Sequence, residues 1–235
     1  MKGKIIGVSL GPGEPELITL KALRALEAAE VIYCPATCMV GGQEKSRAAD
    51  ILGQLPVDGT KIRTFRLPMS KNREEALAAY DAVCGEMLRL AEEGKTVAVT
   101  AEGDACFYSS ANYMYEKLRN AGYPAEMVAG VPAFIAAGAS VGLHIVKGRE
   151  RLLVVPGDVL VEELLEAVVA KRTLVIMKVP LGESILRPFL VRHPELSYHY
   201  FEQVGTPDEF YTSDVQTILN RSFTYFSLLV IMPER

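Results

Sequence analysis

The stretch Lys4–Leu17, KIIGVSLGPGEPEL, is the part of the sequence that indicates the fold class most clearly. A short apolar run leads directly into glycine and proline, and then into an apolar repeat typical of a helix. A second stretch of the same design, TVAVTAEGDACFYSS, occupies Thr96–Ser110. Glycine permits a sharp turn and lets a ligand approach the main chain closely. Because open α/β sheets bind ligands at the carboxyl ends of their strands, the two turns together predict a small-molecule site.

The first half of the chain alternates between strand and helix patterns, which predicts a parallel α/β sheet. The predicted helix 16–30 has Pro15 at its start, where the missing N–H of proline costs nothing. One face of this helix is expected to be buried, with Leu17, Leu20, Leu23, Leu26 and Ala29. The strand after it is predicted to end at Pro35. The predicted strands are 4–10, 31–34, 61–67, 96–101 and 125–132, and the predicted helices are 16–30, 46–55, 72–93, 109–121 and 133–141.

The second half has more strands per helix, which predicts a mixed sheet with antiparallel members. Its predicted strands are 151–155, 173–178, 199–203 and 225–232, and its predicted helices are 161–169, 183–190 and 213–219. Gly122-Tyr123-Pro124 stops the preceding helix, so we predict two domains, residues 1–123 and 124–235.

Charge and composition narrow the classes of function. A net charge of −4 argues against nucleic acid as the main partner, since phosphate binding needs a basic face. The sequence has neither a signal-peptide pattern nor an apolar run of about 20 residues, so we expect a cytoplasmic protein without a membrane partner. The cysteines are expected to be buried, inert thiols, and no residue spacing suggests a metal site. The cysteines are Cys34, Cys38, Cys84 and Cys106.

Common catalytic motifs are missing from the sequence. The pattern GxxxxGK[ST] of ordinary ATPases does not occur, the first loop is not GxGxxG, and no Ser-His-Asp or Cys-His pairing is evident. Asp104 follows a strand beside Gly103, and its spacing leaves two roles open: binding a ligand hydroxyl or ammonium group, or capping its own turn. Several ligand-holding turns without obvious catalytic groups suit a reaction that an activated cofactor drives.

Three segments resemble the signatures of the tetrapyrrole methylases, the S-adenosylmethionine-dependent methyltransferases of corrin and sirohaem synthesis. They are GVSLGPGEPELITLKA at 7–22, EGDACFYSS at 102–110 and VAGVPAFIAAGASVGL at 128–143. The resemblance covers nearly the whole chain in order. Within the superfamily the chain looks most like the branch that methylates C20 of precorrin-2 or cobalt-factor II (the cobalt complex) in cobalamin synthesis.

The resemblance implies two α/β domains of the class III methyltransferase type, a cofactor cleft that the second domain completes, and a homodimer. It implies that Gly11, Pro12, Gly13 and Glu14 line the side of an anionic tetrapyrrole substrate. Glu102 and Tyr108 are the candidates for polar catalytic roles, and Tyr33 is considered beside them for a polar role. The implied contacts to S-adenosylmethionine, mostly through the main chain, come from Leu10, Gly103, Asp104, Phe107, Pro132, Ala133, Met177, Val204 and Ser227.

The chain departs from the family pattern in places. Glu14 stands where Asp is usual, Ala105 where Pro is usual, and Pro132-Ala133 where a pair of hydroxyl residues is common. Lys178, Lys71 and Arg151 are guesses for binding the substrate carboxylates. Three alternatives remain: another tetrapyrrole position, a non-tetrapyrrole substrate such as a modified histidine, and a nucleotide-binding module without catalysis.

Overall fold

The computed structural model of the protein describes residues 3–38, 44–67, 73–123 and 125–233. The chain divides into two compact units, Met1–Pro132 and Ala133–Arg235. The sequence predicts a boundary after residue 123, and the strand Glu126–Val128, which pairs with the first strand, lies within the first of these units. Within the described ranges, no helix is both long enough and apolar enough to cross a bilayer.

The first unit is built on a mainly parallel sheet. Its elements are β1 Lys4–Ser9, α1 Leu20–Ala28, β2 Val31–Cys38, β3 Glu44–Lys45, α2 Arg47–Leu52, β4 Ile62–Leu67, α3 Arg73–Glu92, β5 Thr96–Ala101, α4 Asn112–Asn120 and β6 Glu126–Val128. Strand β1 lies between β5 and β6, and β2 lies beside β5. Strand β4 pairs with β2 in parallel, while β3 pairs with β2 in the antiparallel sense.

Side chains alternate between the two faces of this sheet because successive residues of a strand point to opposite sides. Ile5 and Val97 join a buried cluster with residues of α3 and α4. Their neighbours Ile6 and Ala98 join a separate cluster with residues of α1 and α2. Helices therefore cover both faces, which confirms the predicted α/β class.

The second unit contains a mixed sheet. Its elements are α5 Ala133–Ser140, β7 Arg151–Val155, α6 Val161–Val169, β8 Arg172–Met177, α7 Glu183–Arg192, β9 Ser197–Glu202, β10 Phe210–Thr212, α8 Val215–Asn220 and β11 Ser227–Met232. The strand order is β10-β9-β11-β8-β7. Among the described residues of this unit only β7 and β8 pair in parallel, and the other pairs are antiparallel, as the strand-rich pattern predicted.

The predicted helix 16–30 was too long at its start. Pro15 opens a single 3₁₀ turn, Pro15–Leu17, and α1 begins after Thr19, whose side-chain oxygen accepts a hydrogen bond from Ala22 N at 3.1 Å. A threonine cap of this kind satisfies a main-chain donor that the first helical turn leaves free. Leu20 is 71% exposed as a result, so its predicted place on the buried face was wrong.

Strand β2 does not end at Pro35 as predicted. On one side it pairs with β5 only over Val31–Tyr33 and with β3 only from Thr37, so Pro35 lies in the gap between these two neighbours, while on the other side it stands opposite Phe65 of β4. The Pro35 carbonyl accepts a hydrogen bond from Ser46 Oγ at 2.7 Å in that gap. A proline is tolerated in a strand where no partner strand requires its missing N–H.

The cysteines differ from the prediction at one position. Cys34 and Cys84 are buried, and burial raises the pKa of each thiol to about 11. Cys106 is exposed, because it follows Asp104 and Ala105 in the turn beyond β5 instead of lying within a strand. The side chain of Cys38 lies outside the described residues.

Candidate functional site

The two glycine loops of the first unit lie side by side because β1 and β5 are neighbouring parallel strands, with Ser9 opposite Ala101. Their main chains are joined directly beyond the strands. Leu10 N donates to Ala101 O at 2.9 Å, Gly11 N donates to Gly103 O at 3.1 Å, and Gly103 N donates to Gly11 O at 2.6 Å. The predicted substrate loop and the predicted cofactor loop therefore form one interlocked structure.

Gly11 and Gly103 both require glycine at this junction. Their φ angles are +75° and +67°, a region that other residues rarely adopt. A Cβ on Gly11 would lie 3.2 Å from Leu17 O, whereas a Cβ on Gly103 would meet no atom within 4 Å. The turn at Gly103 therefore has an open side against which a ligand can approach the main chain, which fits a nucleoside cofactor.

Asp104 links the second loop to the third. Its Oδ1 accepts from Cys106 N at 2.8 Å, and its Oδ2 accepts from Gly130 N at 2.7 Å. The predicted turn-capping role is thus present, and it extends across 26 residues of sequence to the loop before α5. Each carboxylate oxygen can accept more than one hydrogen bond, so binding a cofactor remains compatible with these contacts.

Ser9 and Gly130 complete this junction, and our sequence reasoning did not select them. The buried Ser9 Oγ donates to Val128 O at 2.7 Å and accepts from Ala105 N at 2.8 Å. A Cβ on Gly130 would lie 2.5 Å from both Gly103 O and Ser9 Cβ. The only available signal was the occurrence of serine and glycine at the ends of apolar runs, which does not reveal a contact between loops.

Most of the first loop is inside the unit. Gly11, Pro12 and Gly13 are buried, Glu14 is exposed, and the Leu10 side chain is fully buried in the core. A contact from Leu10 to a cofactor would therefore use its main chain, as the family resemblance implied.

The two candidate catalytic side chains both lie on the second loop. Arg47 Nε, at the start of α2, is 3.0 Å from Glu102 Oε2. Burial raises the pKa of Glu102 above its ordinary value, although Arg47 acts in the opposite direction. Tyr108 has a φ of +48° and is about half exposed, and the centroid of its ring is 4.9 Å from that of Phe107.

A cavity of about 500 Å³ adjoins this loop within the first unit. Cys106, Tyr108 and Ser109 line it from the loop, and Tyr115 lines it from α4. The Tyr115 hydroxyl is buried without a hydrogen-bond partner among the described atoms. Tyr108 therefore borders a solvent-connected space, whereas Tyr33, the other tyrosine considered for a polar role, is buried in the core and has its pKa raised to about 12, chiefly by burial.

The predicted contacts of the second unit meet at one edge of its sheet. Met177, at the end of β8, lies opposite Leu228, and Ser227, at the start of β11, lies opposite Glu202. Lys178 N donates to Ser227 O at 3.0 Å, and Val204 follows the end of β9. Pro132 is the last residue of the first unit, and Ala133 begins α5 in the second.

Beneath this edge lies a charged network that the sequence did not reveal. Arg221 donates to both carboxylate oxygens of the buried Glu202, at 2.8 and 2.7 Å, and the Tyr200 hydroxyl donates to one of them at 2.6 Å. Burial opposes ionisation, but these hydrogen bonds hold the pKa of Glu202 below its ordinary value. The network braces the end of β9, where Gln203 adopts a φ of +50°.

The two guessed carboxylate-binding residues that the structure describes, Lys178 and Arg151, are not brought together. Lys178 lies at the carboxyl end of β8, with its Nζ 5.6 Å from the centroid of the Tyr225 ring. Arg151 begins the parallel neighbour β7 and so lies at the opposite edge of the sheet. Lys71 is outside the described residues.

Comparison with known proteins identifies the family. A profile described as Tetrapyrrole (Corrin/Porphyrin) Methylases matches residues 4–218. A precorrin-2 C(20)-methyltransferase of a Sinorhizobium species is 29% identical across 97% of this chain and 95% of the relative. A cobalt-precorrin-2 C(20)-methyltransferase of Salmonella typhimurium is 32% identical across 76% of this chain and 74% of the relative. A solved structure of uroporphyrin-III C-methyl transferase from Thermus thermophilus, complexed with S-adenosylhomocysteine, has a TM-score of 0.65 and 22% identity over 98% of this chain and 97% of its own. The chain therefore belongs to the tetrapyrrole (corrin/porphyrin) methylases.

Proposed function

We propose that the protein transfers a methyl group from S-adenosylmethionine to C20 of precorrin-2, or of its cobalt complex, during corrin synthesis. The observation that carries this proposal is the interlocking of the Gly-Pro-Gly loop with the Glu-Gly-Asp loop through Gly11 and Gly103. The C20 position is supported by the two relatives that are named for it.

S-adenosylmethionine supplies an electrophilic methyl group on a positively charged sulfur. The open side of Gly103 offers main-chain groups to the cofactor, and Asp104 holds the second and third loops in register around it. Met177, Val204 and Ser227 contribute contacts from the strand ends of the second unit. The acceleration comes largely from holding the reacting atoms in line.

Glu102 is the residue that we assign to proton removal from C20 after methyl transfer. Arg47 Nε holds one carboxylate oxygen, Oε2, and orients the side chain. A pKa above the ordinary value makes the carboxylate a better proton acceptor near neutral pH. Tyr108, on the same loop, offers a phenol hydroxyl to the substrate.

The substrate is an anionic tetrapyrrole that meets the loop of residues 11–14 at Glu14, the exposed residue of that loop. We further propose that the protein acts in the cytoplasm as a homodimer. Methylation at another ring position is a second candidate, since a uroporphyrinogen-III C-methyltransferase of Pseudomonas aeruginosa is 32% identical over 143 residues.

The test is an anaerobic incubation with S-adenosylmethionine and, in parallel, metal-free precorrin-2 and its cobalt complex, followed by mass spectrometry and by NMR of the product. One added methyl group at C20 of either substrate supports the proposal and identifies the form used. A methyl group at another carbon supports the second candidate. Binding of S-adenosylhomocysteine without methyl gain on any tetrapyrrole would reject catalysis in favour of a nucleotide-binding module.

A further inference from the structure

Strand β9 of the second unit ends in a turn whose main chain is strained. Gln203 adopts a φ of +50°, which residues other than glycine rarely do, and Val204, one of the proposed cofactor contacts, follows it directly. Gln203 N donates to Phe226 O at 2.9 Å, which ties the turn to the residue before Ser227, another proposed contact. A strained conformation persists only where its surroundings hold it. The placement of both contacts therefore depends on what fixes the end of β9.

Glu202, the last residue of β9, is fixed by an arginine and a tyrosine. Its main chain lies between Phe210 of β10 and Ser227 of β11, and its side chain is buried. Arg221 Nε and Nη2 donate to the two carboxylate oxygens at 2.8 and 2.7 Å, and the Tyr200 hydroxyl donates to Oε1 at 2.6 Å. A two-pronged contact between arginine and carboxylate fixes direction as well as distance. The end of β9 is therefore held through its side chain as well as through its strand pairing.

Arg221 is itself held from two sides. Its guanidinium carbon lies 3.6 Å from the centroid of the Phe210 ring. Its main-chain oxygen accepts a hydrogen bond from Nη2 of Arg187, in helix α7, at 2.7 Å, and Arg187 also donates to Leu219 O near the end of α8. One continuous set of hydrogen bonds thus runs from α7 through Arg221 to Glu202.

We call Tyr200, Glu202 and Arg221 the β9 brace. We propose that the β9 brace positions Val204 and Ser227 for binding S-adenosylmethionine without touching the cofactor itself. This role rests on the proposed function, which places the cofactor against those two residues. A preorganised site avoids the free-energy cost of ordering its own groups when the ligand binds. Loosening the brace is therefore expected to weaken cofactor binding.

Tyr200→Phe is the mildest test, because it removes one hydrogen bond to Glu202 and keeps the ring. Isothermal titration calorimetry is expected to show about threefold weaker binding of S-adenosylhomocysteine. Tyr198→Phe is the matched control, since Tyr198 is also buried on β9 and its hydroxyl donates to His193 O at 2.8 Å, at the other end of the strand. Each variant loses one hydrogen bond, so the midpoint of thermal unfolding should fall by a similar amount in both. Only Tyr200→Phe should lose affinity.

Arg221→Lys tests the two-pronged contact, since lysine keeps the charge but lacks the planar fork. The dissociation constant of S-adenosylhomocysteine and the KM for S-adenosylmethionine are expected to rise about tenfold, while the KM for the tetrapyrrole stays unchanged. Arg63→Lys is the control, because it alters an arginine–glutamate pair of the first unit, with Glu86, and should leave all three constants unchanged.

The two outcomes that contradict the β9 brace differ from failure of the proposed function. Wild-type affinity in both Tyr200→Phe and Arg221→Lys, or an equal loss of affinity in Tyr198→Phe, would overturn the positioning role and leave the proposed function standing. A wild-type protein that binds no S-adenosylhomocysteine would overturn both. Tyr200→Phe and its control decide the matter even where Arg221→Lys lowers the folded fraction.

Discussion

At the scale of single residues, Glu102 and Asp104 show how two nearby carboxylates acquire different roles. Asp104 accepts main-chain N–H groups on both oxygens, so its charge is used to hold the loops. Glu102 is held by the Arg47 side chain through one oxygen, and burial raises its pKa. Burial therefore makes Glu102 a better proton acceptor than an exposed glutamate.

Glu102→Gln is expected to lower kcat about 100-fold without changing the KM for S-adenosylmethionine, because it removes the proton acceptor but keeps the shape of the side chain. A raised pKa means that the carboxylate form is lost as pH falls through a value above the ordinary one near 4.3. The rate of the wild-type enzyme should therefore fall as the pH falls through the pKa of Glu102, and the rate of the variant should not show this fall. Glu93→Gln, on the surface, is the control. If the Glu102 variant had the same rate as the wild type, the catalytic role of Glu102 would be rejected.

Asp104→Asn is expected to weaken S-adenosylhomocysteine binding about tenfold, since an amide keeps one acceptor but turns a donor toward a main-chain N–H. Isothermal titration calorimetry measures this directly. Asp208→Asn is the control, because Asp208 is exposed and distant in sequence from both loops. Unchanged affinity in the Asp104 variant would assign that carboxylate to loop structure alone.

Cys106 is expected to react with a thiol reagent in the native protein, while Cys34 and Cys84 are protected. Cys106 is exposed, whereas burial restricts access to the other two and raises their pKa to about 11, which leaves almost no thiolate at neutral pH. Peptide mapping after iodoacetamide treatment gives the order of labelling. Equal labelling of all three without denaturant would contradict the described burial.

At the scale of elements, Gly130 is the position where the loops after β1, β5 and β6 pack most closely. Gly130→Ala is expected to lower the free energy of unfolding by about 2 kcal/mol or more, because the added Cβ forces apart the Gly103 and Ser9 segments. Gly85→Ala is the matched control within α3, where a Cβ meets nothing within 4 Å. It should stabilise the protein by about 1 kcal/mol through helix propensity. Urea denaturation measures the change in the free energy of unfolding for each variant. Equal changes in the two variants would contradict the packing argument.

The sequence predicted those helices and strands that a local pattern of apolar and polar residues identifies. Strands β5 and β7 and helix α6 occupy the predicted residues, and β1 and α3 lie within one residue of prediction, since regular patterns of apolar residues identify them. The two-residue β3 and the three-residue β10 were not predicted, because runs so short carry no periodicity. Pro35 within β2 depends on which neighbouring strand is present, which is a property of the sheet and not of the local sequence.

The candidate site divides in the same manner. Its loops were predictable, since Gly11 and Gly103 stand at strand ends and glycine can adopt the backbone conformations that sharp turns require. The contacts between loops were not predictable, because Ser9 and Gly130 meet across about 120 residues of sequence. Glu202 and Arg221 lie 19 residues apart, at the end of β9 and directly after α8, so their pairing depends on how these two elements are placed.

At the scale of the whole molecule, the first unit extends past the turn residues Gly122-Tyr123-Pro124 to Pro132 and so includes the paired strand β6. Gly122-Tyr123-Pro124 reads as a strong break, yet the chain continues into β6, which pairs with β1 from Ile6 to Val8. A boundary after residue 123 would remove this strand and leave one side of β1 without its neighbour. Unpaired strand edges promote association with other chains.

The fragment 1–132 is therefore expected to be more soluble and more thermally stable than the fragment 1–123. The longer fragment keeps β6 and the contact of the Gly130 N–H with Asp104, whereas the shorter one exposes the main chain of β1 and leaves Oδ2 of Asp104 without that donor. Light scattering measures aggregation, and circular dichroism during heating measures the transition temperature. Extending the longer fragment to residue 141 is the control for chain length, because the added residues of α5 belong to the second unit and should not stabilise it further. Equal behaviour of 1–123 and 1–132 would mean that β6 does not stabilise the first unit, and the boundary would then lie at the Gly-Tyr-Pro break.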